Sequence, residues 1–298
     1  MIAENLTAIV TFGQLPDLSD DDRLLLPELT RAGIRAEPAV WSNDHIDWSR
    51  FSSVVIRSCW DYHHRPQEFL EWLGQVEQLR IPIWNNPNLI RWNHDKVYLR
   101  ELEAKGFPVV PTVWIDTNNP VDLPSLLQSR SWDRAVVKPR VSASGHLTVL
   151  IGIDFSHRAD SIFGADSGVL VQPYLPEIET KGEWSLLFFN KQYSHAVLKR
   201  PRSGEFRVQV EHGGSFEAAT PPGSFIEVAQ AVVDSIPEPL LFARVDGVSV
   251  DGRFTLMELE LIEPYLFFSA DRSAARRFAE ALVNLGERGP LCETDCLL

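Results

Sequence analysis

Two long segments rich in apolar and β-branched residues, Leu241–Val250 and Phe254–Ile262, are separated by a turn that contains the dipeptide Asp251-Gly252. This feature constrains the fold strongly, because Asp-Gly between two strand-like segments is a clear signal for a tight antiparallel hairpin. The back half should therefore contain a largely antiparallel sheet, with further strands predicted at Val169–Gln172, Glu183–Asn190, Tyr193–Lys199 and Phe206–Glu211. Helices are predicted at Ser224–Ser235 and Ser269–Leu285.

The second strand of this hairpin carries two acidic residues at alternate positions. Because side chains alternate across a strand, Glu258 and Glu260 should share one face, while Met257, Leu259 and Leu261 should face the core. Two neighbouring carboxylates repel each other, but Mg²⁺ binds carboxylate oxygens together with substrate phosphates. The pair therefore indicates either a metal site or a solvated acidic face.

A third acidic residue, Asp246, lies on the preceding strand, and its direction depends on the hairpin loop. A two-residue loop would turn Asp246 toward the core. A three-residue loop over Asp251–Arg253 would instead pair Asp246 with Glu258 and Arg244 with Glu260. We predict the three-residue loop, because only an odd loop length brings the three carboxylates together.

The first third of the chain alternates strand and helix signals, which favours a parallel sheet with helices on its faces. Strands are predicted at Thr7–Phe12, Ala36–Trp41 and Val54–Arg57, and helices at Asp20–Ala32 and Pro66–Leu79. The middle is mixed, with a helix at Asp95–Ala104, a strand at Thr112–Ile115, the segment Leu123–Gln128 and a strand at Ala135–Lys138.

The segment after the third strand is a candidate substrate site, because ligands of parallel sheets collect at the carboxyl ends of strands. It contains Arg57, Ser58, Trp60 and Asp61. Arg57 is suited to a substrate carboxylate and Asp61 to an ammonium group, which together would select an amino acid. The alternative is an Arg–Asp pair that braces a loop.

A short apolar strand in the middle of the chain ends at Lys138 and is followed by the small-residue loop Val141–Gly145. Small residues let backbone N–H groups approach phosphate oxygens, although an ordinary surface lysine before a turn has the same appearance. The loop is not a P-loop, and the dinucleotide-binding, zinc-protease and hydrolase-elbow motifs are also absent.

A local basic set follows at Lys199, Arg200, Arg202 and Arg207. It is notable because the chain of 298 residues has a net charge of −13. The set could bind a carboxylate or phosphate, or form an exposed basic loop. The overall charge itself disfavours nucleic acid or an anionic membrane as a partner.

Three cysteines, Cys59, Cys292 and Cys296, are too few for a disulfide framework and agree with a reducing compartment. No cluster of His or Cys supports a metal site at Cys292 and Cys296. The sequence begins without a basic, apolar signal segment, and no run of about 18 apolar residues occurs. We therefore expect a cytoplasmic protein without membrane contact.

Taken in order, these motifs resemble the ATP-grasp superfamily between about Asn93 and Phe268. The resemblance implies an ATP-grasp fold with an N-terminal pre-ATP-grasp parallel-sheet domain at residues 1–90, a small central domain at 91–174 and a C-terminal antiparallel-sheet domain at 175–298. One departure is that many members carry Asn where this chain has Glu260.

The same resemblance assigns roles to individual residues. ATP-binding residues would be Lys96, Lys138, Ser142, Ser144, Gly145, Gln172, Tyr174, Leu175 and Glu183. Metal ligands would be Asp246, Glu258 and Glu260, with Mg²⁺ or Mn²⁺ as the ion, and Arg244 and Arg207 would stabilise reacting groups. Substrate contacts would come from Arg57, Ser58, Trp60, Asp61, Lys199 and Arg200.

The basic segment is similar in layout to bacterial glutathione synthetases. The Arg57–Tyr62 segment and the chain length resemble most closely the cyclo-ligase family that forms the cycloserine ring from an O-ureidoserine precursor. These similarities imply an ATP-dependent ligase that joins a carboxylate of a small amino-acid-like molecule to a nitrogen. A small-molecule kinase and a non-catalytic nucleotide-binding module remain alternatives, and a homo-oligomer is possible.

Overall fold

The computed structural model describes residues 6–117, 121–152 and 168–288. Its first sheet is parallel, as predicted. The strand order is β2-β1-β3-β4. The strands are β1 (Leu6–Thr11), β2 (Arg35–Val40), β3 (Ser53–Ser58) and β4 (Ile83–Trp84). The connecting helices are α1 (Asp20–Arg23), α2 (Leu25–Arg31) and α3 (Pro66–Gln78). The single predicted helix Asp20–Ala32 is broken because Pro27 cannot donate a hydrogen bond to the carbonyl of Arg23.

The second sheet is antiparallel with strand order β5-β8-β6-β7. Its strands are β5 (Val113–Ile115), β6 (Arg134–Pro139), β7 (Val149–Gly152) and β8 (Val169–Pro173). Helices α4 (Pro87–Asn93) and α5 (Tyr98–Ala104) connect it to the first sheet, and α6 (Leu123–Arg130) packs against it through Leu123 and Leu127. The helix predicted from Asp95 therefore begins only at Tyr98.

The third sheet is antiparallel with strand order β11-β10-β9-β12-β13. Its strands are β9 (Glu183–Phe189), β10 (Gln192–Arg200), β11 (Ser215–Ala218), β12 (Phe242–Val250) and β13 (Arg253–Glu260), with helices α7 (Glu177–Thr180), α8 (Gly223–Asp234) and α9 (Ala274–Arg288). The strand predicted at Phe206–Glu211 is wrong, because this segment is irregular. The chain doubles back so closely there that a Cβ at Gly214 would lie 2.1 Å from the carbonyl oxygen of Val208.

The β12–β13 hairpin contains a correction to the predicted loop. Val250 pairs with Arg253, so the loop has two residues, and both Asp251 and Gly252 have positive φ. The pairing of Asp246 with Glu258 and of Arg244 with Glu260 is nevertheless confirmed. A β-bulge, rather than an odd loop, supplies the extra residue that restores this register.

The bulged residue is Met257, because Gly247 pairs with Leu256 while the preceding Asp246 pairs with Glu258. Met257 is consequently half-buried and lines the main cleft, so the prediction that it faces the core is wrong. The bulge is also evident in the burial of this strand. The buried apolar residues of β13 are spaced by two from Phe254 to Leu256 but by three from Leu256 to Leu259.

The outer edge of β13 is closed by the connection between the first and second sheets. The side chain of Asn93 donates to the carbonyl of Leu259 and accepts from the amide of Leu261, both at 2.8 Å. The side chain of Asn85 donates to the carbonyl of Leu261 at 2.9 Å, and the hydroxyl of Tyr98 accepts from the amide of Leu259 at 3.1 Å. This edge is therefore paired without another strand, which fixes the strand that carries the acidic residues.

The first and third sheets share one apolar core. Ile9 and Val55 pack in the same buried cluster as Leu187 and Phe242, together with Phe278 of α9. The three sheets fall within the predicted ranges 1–90, 91–174 and 175–298, whose boundaries stay a prediction. No helix among the described residues is both long and apolar enough to cross a bilayer.

Candidate active site

A cleft of about 510 Å³ lies where the three sheets meet. Most of the residues singled out in the sequence line it: Trp60, Lys96, Lys138, Ser142, Ser144, Gly145, Gln172, Leu175, Glu183, Lys199, Arg207, Arg244, Asp246, Glu258 and Glu260. These residues are spread over a long stretch of sequence and come from all three sheets and their connections. Their convergence makes this cleft the candidate active site.

Three carboxylates from β12 and β13 converge on the floor of the cleft. Asp246 is almost fully buried, at 2% exposure, and accepts a hydrogen bond from the hydroxyl of Ser185. Burial opposes its charge, but Arg244 and Lys199 outweigh this and lower its pKa. Burial raises the pKa of Glu260 to about 7, with the negative charge of Asp246 adding to the rise against the opposing charge of Arg244.

The guanidinium of Arg244 bridges two of these carboxylates. Its Nη2 atom lies 2.9 Å from Oδ2 of Asp246 and also bonds to Glu260, while Nη1 donates to the carbonyl of Tyr265 at 3.1 Å. Burial opposes the charge of Arg244, but the two carboxylates raise its pKa. Arg244 is therefore held as a fixed cation beside the acidic group.

Lys96 approaches the third carboxylate from the connection between the first two sheets. Its Nζ atom lies 2.9 Å from Oε1 of Glu258 and donates to the carbonyl of Ser142 at 2.6 Å. Although burial opposes ionisation of Glu258, Lys96 and Lys138 lower its pKa. The acidic floor and the small-residue loop are thus linked through one ammonium group.

Lys138 reaches the cleft because the side chains of β6 alternate between the two faces of the strand. Val136 and Lys138 point into the cleft, while Ala135, Val137 and Pro139 are buried on the opposite face of the strand. Burial lowers the pKa of Lys138, and the charge of Glu258 opposes this. Lys138 therefore stands as a second cation opposite the acidic floor.

A second buried ion pair lies deeper in the cleft. Nζ of Lys199 is 2.5 Å from Oε1 of Glu183 and 3.5 Å from Oδ2 of Asp246. Burial opposes the charge on Lys199, but Asp246 and Glu183 outweigh it and raise its pKa. For Glu183, burial dominates and raises the pKa.

One end of the cleft is apolar. Leu175, Ile178 and Met257 line it, and all three belong to one small cluster with Val208. Gln172 adds a polar group, since its side chain is 4% exposed and donates from Nε2 to Thr112 at 3.0 Å. A flat, partly polar group such as a nucleobase suits these walls.

Two loops meet over the cleft. The first contains Ser144 and Gly145, both with positive φ, and a Cβ at Gly145 would lie 3.4 Å from the side chain of Arg207 in the second loop. Arg207 is oriented by Glu205 through contacts of 3.0 and 2.8 Å. The hydrogen bond with Glu205 raises the pKa of Arg207, which keeps a permanent cation at the mouth of the cleft.

Five predicted site residues do not line the cleft: Tyr174, Asp61, Arg200, Arg57 and Ser58. The ring of Tyr174 lies under the guanidinium of Arg134, at 3.9 Å, and its hydroxyl bonds to Glu179. Asp61 accepts from Trp41 at 2.7 Å and from Arg65 at 2.6 Å, so its carboxylate is occupied. Arg200 is exposed and lies 3.6 Å from Glu217.

Arg57 and Ser58 are also absent from the cleft lining. Arg57 is 1% exposed, pairs with Asp22 at 3.0 Å and donates to the carbonyl of Pro264 at 2.7 Å. Ser58 donates to the other oxygen of Asp22. The bracing alternative describes Arg57 better than the substrate role, but its acidic partner is Asp22 rather than Asp61.

Sequence reasoning missed Glu263, which lines the cleft and is 8% exposed. Burial, with the negative charge of Glu260 adding to it, raises the pKa of Glu263 to about 8. Around it lie Trp60 and Tyr265, whose rings stack at 6.2 Å. The only sequence signal was a third acidic residue, three positions beyond Glu260 and outside the alternation of the strand.

The fold is that of the ATP-grasp ligases. It matches the crystal structure of D-alanine–D-alanine ligase from Bacillus anthracis with a TM-score of 0.68 at 15% identity, over 96% of this chain and 98% of that chain. It matches the crystal structure of the D-cycloserine synthetase DcsG with a TM-score of 0.83 at 30% identity, over 94% and 99% of the two chains.

The sequence agrees with the second match. The chain is 31% identical to the cycloserine biosynthesis protein DcsG of Streptomyces lavendulae over 295 residues, which cover 93% of this chain and 97% of its relative. Residues 7–85 match the family model for the N-terminal domain of the D-cycloserine synthetase DcsG. The chain therefore belongs to the DcsG family of ATP-grasp ligases and is an enzyme of the ligase class.

Proposed function

We propose that this ligase uses Mg-ATP to convert a carboxylate of an amino-acid-like substrate into an acyl phosphate, which an internal nitrogen then attacks to close a ring. The observation that carries the proposal is the meeting of Lys96 and Lys138 with the carboxylates of Asp246, Glu258 and Glu260 in one cleft. Cations suited to phosphates and oxygens suited to Mg²⁺ are thereby within reach of one triphosphate.

The acidic floor fits a divalent cation. Burial and neighbouring negative charge keep the pKa of Glu260 near 7, so a further positive charge would be stabilising beside it. We assign Asp246, Glu258 and Glu260 as the residues that would hold Mg²⁺. The ion would neutralise charge on the phosphates when bound.

The remaining ATP contacts follow from the shape of the cleft. The base would lie against Leu175 and Met257 with Gln172 at its edge, and Glu183 would meet the ribose. Lys96 would exchange part of its pairing with Glu258 for phosphate oxygens, whereas Lys138, which has no described carboxylate within salt-bridge distance, would bind them directly. These assignments rest on which side chains face the cleft and on the charge each carries there.

The first chemical step would form a bond between a substrate carboxylate oxygen and the γ-phosphorus, while the bond from that phosphorus to ADP breaks. In the second step the nitrogen lone pair attacks the acyl carbon, the carbon–oxygen bond to phosphate breaks, and the nitrogen loses a proton. Arg244 and Arg207 are fixed cations suited to the oxyanion and to the departing phosphate. The loop at Ser144 and Gly145 would keep water from the acyl phosphate.

We assign the amino-acid-like substrate to the end of the cleft lined by Trp60, Tyr265 and Glu263. No described side chain pairs with the carboxyl group of Glu263, so it is available to a substrate N–H group, or to a substrate ammonium whose charge would favour the ionised carboxylate. Ring closure is proposed because the two matches at 30% and 31% identity, which also cover nearly the whole chain, are named for cycloserine synthesis.

The test is an assay of ADP release with Mg-ATP over amino acids, short peptides and O-ureidoserine, coupled to product mass and to trapping with hydroxylamine. An acyl phosphate gives a hydroxamate with hydroxylamine, and a ring-closing ligase gives a product lighter than its substrate. A phosphorylated product without a new C–N bond would instead identify a kinase. ATP binding without ADP release across the panel would identify a non-catalytic module.

A further inference from the structure

Three histidines form a cluster beside the cleft that the proposed reaction does not use. His63 and His64 lie on the single turn Tyr62–His64 after β3, and His146 lies in the loop after β6. One ring nitrogen of each lies within 4.8 Å of the corresponding nitrogens of the other two. The ring centroids are separated by 3.9 Å for the adjacent pair and by 5.0 and 4.6 Å from each of these to His146.

The cluster has free coordinating capacity. Nδ1 of His63 is buried and has no hydrogen-bond partner among the described residues, which is unusual for a polar atom shielded from water. Neutral imidazole is the form that binds metals.

We propose that His63, His64 and His146 form a binding site for a divalent transition metal, with Zn²⁺ as the first candidate. Three histidine nitrogens and one open position match a known pattern of zinc coordination. Metal–nitrogen bonds of about 2.0–2.1 Å in a tetrahedral site place the nitrogens about 3.3 Å apart, so nitrogens that lie within 4.8 Å of one another need to approach by at most about 1.5 Å. Imidazole also discriminates against Mg²⁺, which prefers the carboxylates of the cleft floor.

A metal bound to the three histidines would affect the cleft, because one of these histidines lies on a loop that lines it. His146 follows Ser144 and Gly145 on the loop that lines the cleft, whereas His63 and His64 follow β3 of the parallel sheet. A metal bound to all three would tie the loop to the first sheet. We infer that Zn²⁺ bound at this site would slow nucleotide exchange. This effect on exchange rests on the proposed ATP site, whereas the proposal that the histidines bind a metal does not depend on it.

Metal binding is tested on the full chain without nucleotide, by titrating Co²⁺ and recording the visible absorption of tetrahedral Co²⁺. We expect an absorption band that saturates at one equivalent and disappears when Zn²⁺ is added. The band should be lost or strongly weakened in His64→Gln and in His146→Ala. The matched control is His45→Ala, which removes an exposed histidine outside the cluster and should leave the band unchanged.

Two results would overturn the site: no saturable band in the wild-type chain, or an unchanged band in either cluster variant. His64 is exposed, so His64→Gln provides a test that does not depend on a buried substitution. Circular dichroism and thermal unfolding check that each variant is folded.

The loop clamp is tested separately by the rate at which a labelled ATP analogue is released, with and without Zn²⁺. Release should be slower with Zn²⁺ in the wild-type chain and unaffected by it in His146→Ala. Zn²⁺ binding without slower release would refute the clamp and leave the site standing. A chain that fails to bind ATP would instead refute the proposed function, while the Co²⁺ titration still reports on the site.

Discussion

Charged residues in the cleft compensate one another before any ligand enters. Lys96 pairs with Glu258, Arg244 with Asp246 and Glu260, and Lys199 with Glu183. Lys138 is different, because burial lowers its pKa and no described carboxylate pairs with it within salt-bridge distance. It is therefore the cation most available to a phosphate.

The first prediction follows from this availability. Lys138→Met keeps the length of the side chain but removes its charge, so it should reduce kcat/KM for ATP by roughly 10²–10³-fold with little change in stability. Steady-state ADP release and thermal unfolding measure the two effects. The matched variant Lys105→Met alters an exposed lysine and should leave turnover unchanged. Equal turnover of the two variants would contradict the assignment of Lys138.

A second prediction concerns the pH dependence of stability. The pKa of Glu263 rises from 4.5 to about 8 on folding because of burial. Between these values the folded chain holds a proton that the unfolded chain has released, so the free energy of unfolding falls as pH rises. Glu263→Gln removes this loss and should stabilise the chain by roughly 1–3 kcal/mol above about pH 8, with little effect below about pH 5.

Urea unfolding of wild type and Glu263→Gln at both pH values provides the measurement. Glu103→Gln, at an exposed position of α5, is the control and should leave the pH dependence of unfolding unchanged. A constant difference between Glu263→Gln and wild type across the pH range would show that Glu263 is not the group that titrates.

At the scale of elements, the hairpin shows what sequence could and could not supply. Alternation predicted that Glu258 and Glu260 share a face, and the turn signal Asp251-Gly252 located the hairpin. The route by which Asp246 joins them was not predicted, because the loop was assumed to be the only place for an extra residue. A bulge at Met257 has the same effect on register and is visible only as an irregular spacing of buried residues.

The third prediction concerns the residue opposite this bulge. A Cβ at Gly247 would lie 2.3 Å from the ring of Phe254 and 2.7 Å from the carbonyl oxygen of Thr255. Gly247→Ala should therefore destabilise the chain by roughly 1–3 kcal/mol through overpacking. Gly74→Ala, in α3, meets no atom within 4 Å and should be neutral or stabilise by up to about 1 kcal/mol. Denaturant unfolding compares them, and equal effects would argue against the close approach.

At the scale of the whole molecule, the sequence predicted three domains, with a parallel sheet in the first and an antiparallel sheet in the last, but not how these domains are joined. Hydrophobic periodicity predicts single helices and strands but not contacts between residues that are distant in the chain. Asp22 and Arg57, for example, are 35 residues apart and pair only in the folded protein. The same applies to Asn85 and Asn93, which close the edge of β13 through Leu261 and Leu259, 176 and 166 residues further along the chain. Lys96 and Lys138 looked ordinary by themselves and were identified only through the resemblance to ATP-grasp ligases.

The fourth prediction concerns this joining of sheets. The side chain of Asn85 is 1% exposed and bonds to the amide of Leu241 at 2.7 Å and to the carbonyls of Phe242 and Leu261 at 2.9 Å. Asn85→Ala leaves three buried backbone groups without a partner and should reduce the free energy of unfolding by roughly 2–5 kcal/mol. Asn43→Ala, at an exposed turn, is the control. A loss no greater than that of the control would show that water replaces these bonds.

The bulge at Met257 also limits how the hairpin can change in length. The number of residues between Asp246 and Glu258 must stay odd, because each single insertion or deletion moves one carboxylate to the opposite face of the sheet. An extra residue in the turn and an extra residue in the bulge therefore have the same effect on whether this number is odd. A chain with a three-residue turn should keep the carboxylates together only if the bulged residue is deleted, so lengthening the turn and removing Met257 should each be harmful alone and compensate each other when combined.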